Sequence, residues 1–217
     1  ISSDKLSQNT VISLTEDKNK NLWIGTFGGG LIRYDYRKNE SQHFFSDPLN
    51  KNSLGDNDVL SLCTDRSGII WAGSHLGAGV TKIQINNAKF NLVKHNPSKQ
   101  NSLNDNVVWA IYKDKQNKLW IGTYKGGINK YDLTANKFSF IRKSATDKSI
   151  SSNHIRCIKE DNFGNLWVGT YDGGLNIINK YSNEISVYKS NPNEPNSIGS
   201  NQVQDILVES DSVYWIG

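Results

Sequence analysis

Apolar and polar positions alternate along this chain in short bursts, and the bursts return at a fixed interval. Leu22-Trp23-Ile24-Gly25-Thr26 recurs as Ile70-Trp71-Ala72-Gly73-Ser74, Leu119-Trp120-Ile121-Gly122-Thr123 and Leu166-Trp167-Val168-Gly169-Thr170. A fifth copy, Tyr214-Trp215-Ile216-Gly217, reaches the last residue. The tryptophans stand 48, 49, 47 and 48 residues apart. Each copy is a short apolar run bounded by turn residues, which predicts a strand. A second strand precedes it, at Val11–Thr15, Val59–Cys63, Val108–Tyr112, Ile155–Lys159 and Val203–Leu207. Its centre is small (Ser13, Ser61, Ala110, Cys157), as a crowded innermost strand requires, except that the fifth copy places Asp205 there. Two further strands follow each tryptophan: Leu31–Asp35, Val80–Ile83, Ile128–Asp132 and Leu175–Ile178, then Gln42–Phe45, Phe90–Lys94, Phe138–Arg142 and Glu184–Tyr188. No segment carries a credible helical pattern.

Four short strands per repeat of this length predict an all-β fold, a β-propeller of four-stranded antiparallel blades. The repeats divide as about 6–52, 53–101, 102–148, 149–196 and a truncated 197–217. About 4.5 blades are then present, one continuous array that is a fragment of a larger ring. An open arc of this kind is expected to associate through unpaired sheet faces or to be poorly ordered at its ends.

The turns have their own chemistry. An acid stands six residues before each tryptophan (Asp17, Asp65, Asp114, Asp161, Glu209) and is read as holding a hairpin turn. Asp17-Lys18-Asn19-Lys20-Asn21 resembles the start of a calcium loop, but the other copies break that pattern and no bidentate Glu follows. Asparagines at the strand entrance (Asn9, Asn57, Asn106, Asn153, Asn201) are expected to bond backbone groups. Gly28-Gly29-Gly30, Gly77-Ala78-Gly79, Gly126-Gly127 and Gly173-Gly174 could suggest a phosphate loop, yet a strand rather than a helix follows each. They predict turns with positive φ instead. All four prolines fall in the loops that enter a repeat.

Composition narrows the function little. Net charge is +4, from 25 basic and 21 acidic residues, with lysines scattered through turns and no basic–aromatic nucleic-acid motif. No apolar run approaches the roughly 18–20 residues that span a bilayer, and no signal peptide opens the chain. Cys63 and Cys157 lie two repeats apart and are read as free buried thiols. No cofactor or metal is implied.

The succession Ser-Leu-x-x-Asn, Asp-x-x-Gly-x-Leu-Trp-Ile-Gly-Thr and Tyr-x-Gly-Gly-Leu-x-x-Tyr-Asp resembles the two-component regulator propeller repeats of bacterial hybrid two-component sensors, numerous in Bacteroidetes. The third repeat fits nearly throughout (Ser102-Leu103-Asn104-Asp105-Asn106, Asp114, Leu119–Thr123, Gly126-Gly127, Tyr131-Asp132). The second departs at Ala72, Ser74 and His75 and carries one extra residue, and the fourth ends Ile177-Ile178-Asn179. The resemblance implies a periplasmic sensor in which two seven-bladed propellers precede a sandwich domain, a membrane helix and a histidine kinase. It implies recognition of glycan-derived oligosaccharides that control polysaccharide use, and partners in the remaining blades, the second propeller and a homodimer.

Candidate binding residues are those that differ among otherwise similar repeats on the loop face, because a scaffold role would repeat. After the recurring Thr or Ser stand Phe27, His75, Tyr124 and Tyr171, then Gly28, Leu76, Lys125 and Asp172. After the entrance Asn stand Thr10, Asp58, Val107, His154 and Gln202, and two residues on, Ile12, Leu60, Trp109, Arg156 and Gln204. Trp109, Arg156, Tyr124, Tyr171, His75, His154, Asp58 and Gln204 together offer flat faces for sugar C–H surfaces and directional groups for hydroxyls or carboxylates. Two rival readings are a non-catalytic interaction scaffold and a propeller lyase holding a metal beside His and Glu. The four histidines (His43, His75, His95, His154) occupy unrelated repeat positions, so no catalytic residue is assigned.

Overall fold

The computed structural model describes residues 10–50, 52–75, 77–84, 89–145 and 148–217. Asn9, Leu76 and the first residues of the opening repeat lie outside them. The chain divides into two compact units, Ile1–Ile111 and Tyr112–Gly217.

Unit 1 holds a sheet of β1 (Val11–Glu16), β2 (Leu22–Thr26), β3 (Leu31–Asp35) and β4 (Glu40–Phe44), and a sheet of β5 (Val59–Thr64), β6 (Ile70–Ser74), β7 (Val80–Gln84) and β8 (Lys89–Val93). The strand β9 (Val108–Lys113) opens the third sheet, which β10 (Lys118–Thr123), β11 (Ile128–Asp132) and β12 (Lys137–Ile141) continue. Unit 2 also holds β13 (Ile155–Glu160), β14 (Leu166–Thr170), β15 (Leu175–Ile178) and β16 (Ile185–Tyr188), then a pair, β17 (Ile206–Val208) and β18 (Tyr214–Ile216). Strands follow chain order in every sheet, and the described residues contain no helix. The four-stranded antiparallel blades are those of a propeller.

One departure concerns the fifth repeat, where the inner strand begins at Ile206 rather than Val203. The Val203 N–H donates to Thr170 O of the preceding blade (2.9 Å), while Gln204 and Asp205 still bond Gly217 through their backbones, the Gly217 N–H donating to Asp205 O at 3.0 Å.

The recurring acid does more than cap its turn. In the first blade Asp17 Oδ1 accepts the Asn19 and Asn21 N–H groups, at 2.8 and 2.9 Å, while Oδ2 accepts the indole N–H of Trp23 at 3.0 Å. Asp65, Asp114 and Asp161 take Trp71, Trp120 and Trp167 in the same way, at 3.1, 2.9 and 3.1 Å. Burial pushes the Asp17 carboxyl up, but bonds from Asn21, Trp23 and Asn19 outweigh it and hold the group below the usual carboxylate range.

Held so, the rings fill the space between neighbouring sheets. Trp23 packs with Leu31 of its own blade and Leu54, Val59, Ile70, Ile83 and Phe90 of the next. The glycine two residues on is fixed by the next inner strand: a Cβ at Gly25 would lie 2.4 Å from Ser13 Oγ and 2.8 Å from Val59 O, and one at Gly169 2.4 Å from Cys157 Sγ and 2.9 Å from Val203 O. Small inner-strand residues are explained by the same crowding.

The entrance asparagines join blades as expected, through both ends. Asn57 accepts the Ser46 N–H on its side chain (2.8 Å) and the Gly30 N–H on its carbonyl (2.9 Å). Asn106, Asn153 and Asn201 repeat the pair with His95 and Gly79, Lys143 and Gly127, and Ser190 and Gly174. Gly30, Gly79, Gly127 and Gly174 sit at φ between 73° and 81°, the positive-φ turns read from the sequence.

Three outcomes are expected. Trp71→Phe strands one carboxylate oxygen of Asp65 and lowers stability by about 1.5–3 kcal/mol in urea unfolding. Gly169→Ala forces the fourth inner strand from its neighbour and costs about 2 kcal/mol in the same assay. Burial drives the Cys157 thiol up to about 12. Its neutral form is therefore favoured by folding at every pH below that value, and Cys157 should resist iodoacetamide at pH 8 until urea unfolds the chain, read by peptide mass mapping.

Candidate functional site

The turns between second and third strands are built for rigidity. Thr26, Thr123 and Thr170 each donate a hydroxyl hydrogen bond to a turn-glycine carbonyl, at 2.8, 3.0 and 2.8 Å. The residue after the Thr or Ser is then held by a backbone bond to the entrance of its own blade: Phe27 N–H to Thr10 O at 3.0 Å, His75 N–H to Asp58 O at 3.2 Å, and Tyr171 N–H to His154 O at 3.0 Å. Variable side chains from two loops therefore meet on a fixed frame.

In unit 1 the meeting places Phe27, His75 and Asp58 together. Asp58 is buried; its Oδ1 accepts the Gly28 N–H at 2.6 Å and its Oδ2 lies 3.4 Å from His75 Nδ1. The His75 ring stands tilted 5.7 Å from Phe27. Asp58 thus fixes a loop and orients an imidazole, with a half-exposed ring pair as the outer surface. Trp109 is half-buried on β9 in the same unit.

Unit 2 carries the larger cluster. Tyr124 stacks on His154 with centroids 4.9 Å apart and planes 9° from parallel, and Tyr171 meets His154 edge-on at 6.4 Å. The Arg156 guanidinium lies 4.8 Å over the Tyr171 ring, and the Lys125 ammonium 5.2 Å over Tyr124. Burial draws Arg156 below its usual value, against an opposing effect of Tyr171 and Tyr124; it remains a cation at neutral pH. Asp172 accepts from the Ser152 hydroxyl and stands 3.7 Å from His154 Nδ1. The Ser152 hydroxyl also accepts the His154 N–H at 3.0 Å.

Arg156 reaches Tyr171 because of a feature the strand pattern hid. Ile155 pairs with Thr170 and Cys157 with Gly169, so Arg156 is the extra residue of a bulge. The same shift occurs between Val11 and Ser13 and between Val59 and Ser61, where Ile12 and Leu60 take the bulge position. A bulge turns its side chain off the ladder, which is how one inner-strand position becomes a surface position.

Of the eight sequence candidates, Asp58 and His75 are brought together, as are Tyr124, His154, Tyr171 and Arg156. Gln204 is exposed, and its backbone N–H donates to Gly217 O at 2.7 Å. Lys125 and Asp172 belong to the cluster beyond those eight, and their place beside Tyr124 and Tyr171 in the variable turn was the available signal. Among the described residues no three His, Cys, Asp or Glu side chains converge as a metal group would need.

Four segments, 5–28, 53–75, 102–125 and 149–172, match the two component regulator propeller family. Each ends on or just after a variable aromatic position: Phe27, His75, Tyr124 and Tyr171. No curated protein matches the chain. Among solved structures, the extracellular domain of a hybrid two component system from B. thetaiotaomicron is 20% identical with a TM-score of 0.77, over 97% of this chain and 26% of that one. A second such domain from the same organism is 21% identical with a TM-score of 0.63, over 100% of this chain and 40% of that one. Virginiamycin B lyase from Staphylococcus aureus shares the fold at 13% identity and a TM-score of 0.72, over 98% of this chain and 65% of the lyase. This chain therefore spans well under half of the two extracellular domains. With four matched copies on four-stranded blades, the chain carries four two-component regulator propeller repeats.

Proposed function

We propose that this chain is the non-catalytic ligand-recognition part of an extracytoplasmic sensor, periplasmic in the parent protein, that binds a glycan-derived oligosaccharide and thereby controls a histidine kinase elsewhere in that protein. The observation that carries the reading is the Tyr124–His154–Tyr171–Arg156 cluster. Three rings and a guanidinium gather there, and where the fourth repeat has His154 and Arg156 the first three have Thr10, Asp58 and Val107, and Ile12, Leu60 and Trp109, so these two side chains answer no requirement common to the blades. A saccharide needs such a surface: ring faces cover axial C–H patches, and Arg156, Lys125 and Asp172 reach hydroxyls or a carboxylate. The half-exposed Phe27–His75–Asp58 group of unit 1 has the same composition on a smaller scale. The remaining blades, a second propeller and a second copy of the parent are its proposed protein partners. The extracellular domains to which the chain is similar support the extracytoplasmic placement.

Calorimetric titration of the parent's whole extracellular region with a panel of plant and host glycan oligosaccharides tests this. Saturable binding is expected, weakened at least tenfold (about 1.4 kcal/mol) by Arg156→Ala and by Tyr171→Ala. A well-folded protein that binds nothing across the panel would move the assignment to a docking scaffold, and turnover of any member would make it an enzyme.

A further inference from the structure

At the end of unit 2 that carries the acid turns, away from the aromatic cluster, a cavity of about 210 Å³ opens between the third and fourth blades. Its lining includes Trp120, Ile141, Leu166 and Ile178, with Lys130 and Lys180 among the polar groups. None of the residues assigned to the saccharide surface takes part, so a role for this cavity is independent of that assignment.

The cavity lies where the first and fourth blades place a ring. In the first blade the indole of Trp23 is covered by Phe44, stacked at 5.6 Å with planes 13° apart. In the fourth, Trp167 is covered by Tyr214 at 4.1 Å. The third blade has neither ring. Leu31 pairs with Phe44 and Ile128 with Ile141, so Ile141 stands where Phe44 does. Leu166, which precedes Trp167 as Tyr214 precedes Trp215, stands where Tyr214 does. Ile141 and Leu166 line a ring-sized gap over the Trp120 indole, and among the described residues no ring stacks on Trp120, nor on Trp71, where Val93 holds the Phe44 position. Its exposure is 7%, against 1% for Trp23.

The charge is left open at the same place. In the first blade Arg33 lies over Trp23 and pairs with Asp17, at 3.7 Å. Lys130 holds the matching position, its ammonium 4.7 Å from the Trp120 centroid. Among the described residues no carboxylate lies within ion-pair distance of it. The neighbouring Lys180 is engaged by Glu160 at 3.6 Å.

We propose that this cavity is a binding site for a small aromatic carboxylate. The ligand ring takes the place over Trp120 that Phe44 and Tyr214 fill over their own indoles, and Lys130 swings from the indole to the carboxylate. The volume limits the ligand to one ring, below the roughly 300 Å³ at which drug-sized pockets begin. A stacked ring and one charge-assisted bond give such a fragment millimolar affinity.

Benzoate is the probe, titrated into the 217-residue chain by calorimetry and followed by ligand-observed NMR, with benzyl alcohol as the uncharged control. Saturable benzoate binding is expected. Ile141→Phe, which restores the ring of the first blade, should abolish it while leaving the thermal midpoint unchanged or higher. Lys130→Gln, a half-buried position with no ion pair to lose, should weaken benzoate at least fivefold and leave benzyl alcohol unchanged. Absence of saturation at tens of millimolar benzoate, or unchanged benzoate affinity in folded Lys130→Gln, would overturn the site.

Discussion

The hydrogen bond from each tryptophan indole to an acid six residues upstream is the constraint on which the rest of a blade depends. A carboxylate buried as deeply as Asp17 or Asp65 is tolerated only when its lone pairs are met. One oxygen gathers the N–H groups of the hairpin turn and the other takes the indole. The ring's orientation is thereby fixed before any packing is considered, and it points into the space the neighbouring sheet must close. Closing it brings the next inner strand against the backbone beyond the tryptophan, which leaves room for glycine alone at Gly25, Gly73 and Gly169. Tryptophan, acid and glycine recur together because each is a consequence of the others.

The fifth repeat shows what the link depends on. Glu209 replaces Asp there and still accepts from the indole of Trp215, yet that ring is 61% exposed, while Tyr214 beside it stacks on Trp167 of the preceding blade. The acid–indole bond is local and survives without cover. The burial that makes it valuable comes from the following blade. Stability in such an array is accordingly a property of neighbouring pairs of blades more than of single ones.

Much of this architecture is legible in the residues. Strand order, the four-strand repeat, the positive-φ turns and the small inner-strand centres follow from a period-two pattern punctuated by glycine and asparagine, and each has a physical cause that operates within a few residues. What escapes is what depends on a partner far away in sequence. The acid reads as a turn former, which its bond to Asn21 supports, but its second oxygen is spoken for by a residue in the next strand. The Val203 bond to Thr170 of the preceding blade is likewise invisible to a local pattern. Lysines that read as scattered turn charges sit beside others, Lys82 and Lys130, whose ammonium groups lie over Trp71 and Trp120. For the candidate site, variability among repeats picks out the turn where the aromatic side chains gather, but nothing local marks the bulge that delivers Arg156.

That bulge explains how a repeating scaffold comes to carry a non-repeating surface. In a regular ladder an inner-strand residue either packs against a neighbouring blade or faces the strands around it, and both settings restrict its identity. Inserting one residue at the strand entrance leaves the flanking pairs, Ile155 with Thr170 and Cys157 with Gly169, to maintain the sheet. The extra residue is free of the ladder. It can be Ile12, Leu60 or Arg156 without changing how the blade closes. The turn opposite is similarly released, because the Thr hydroxyl and the entrance Asn already satisfy its backbone. Chemistry at the loop face can therefore change from blade to blade while the acid–indole link, on the far side of the same strands, holds every blade in one form.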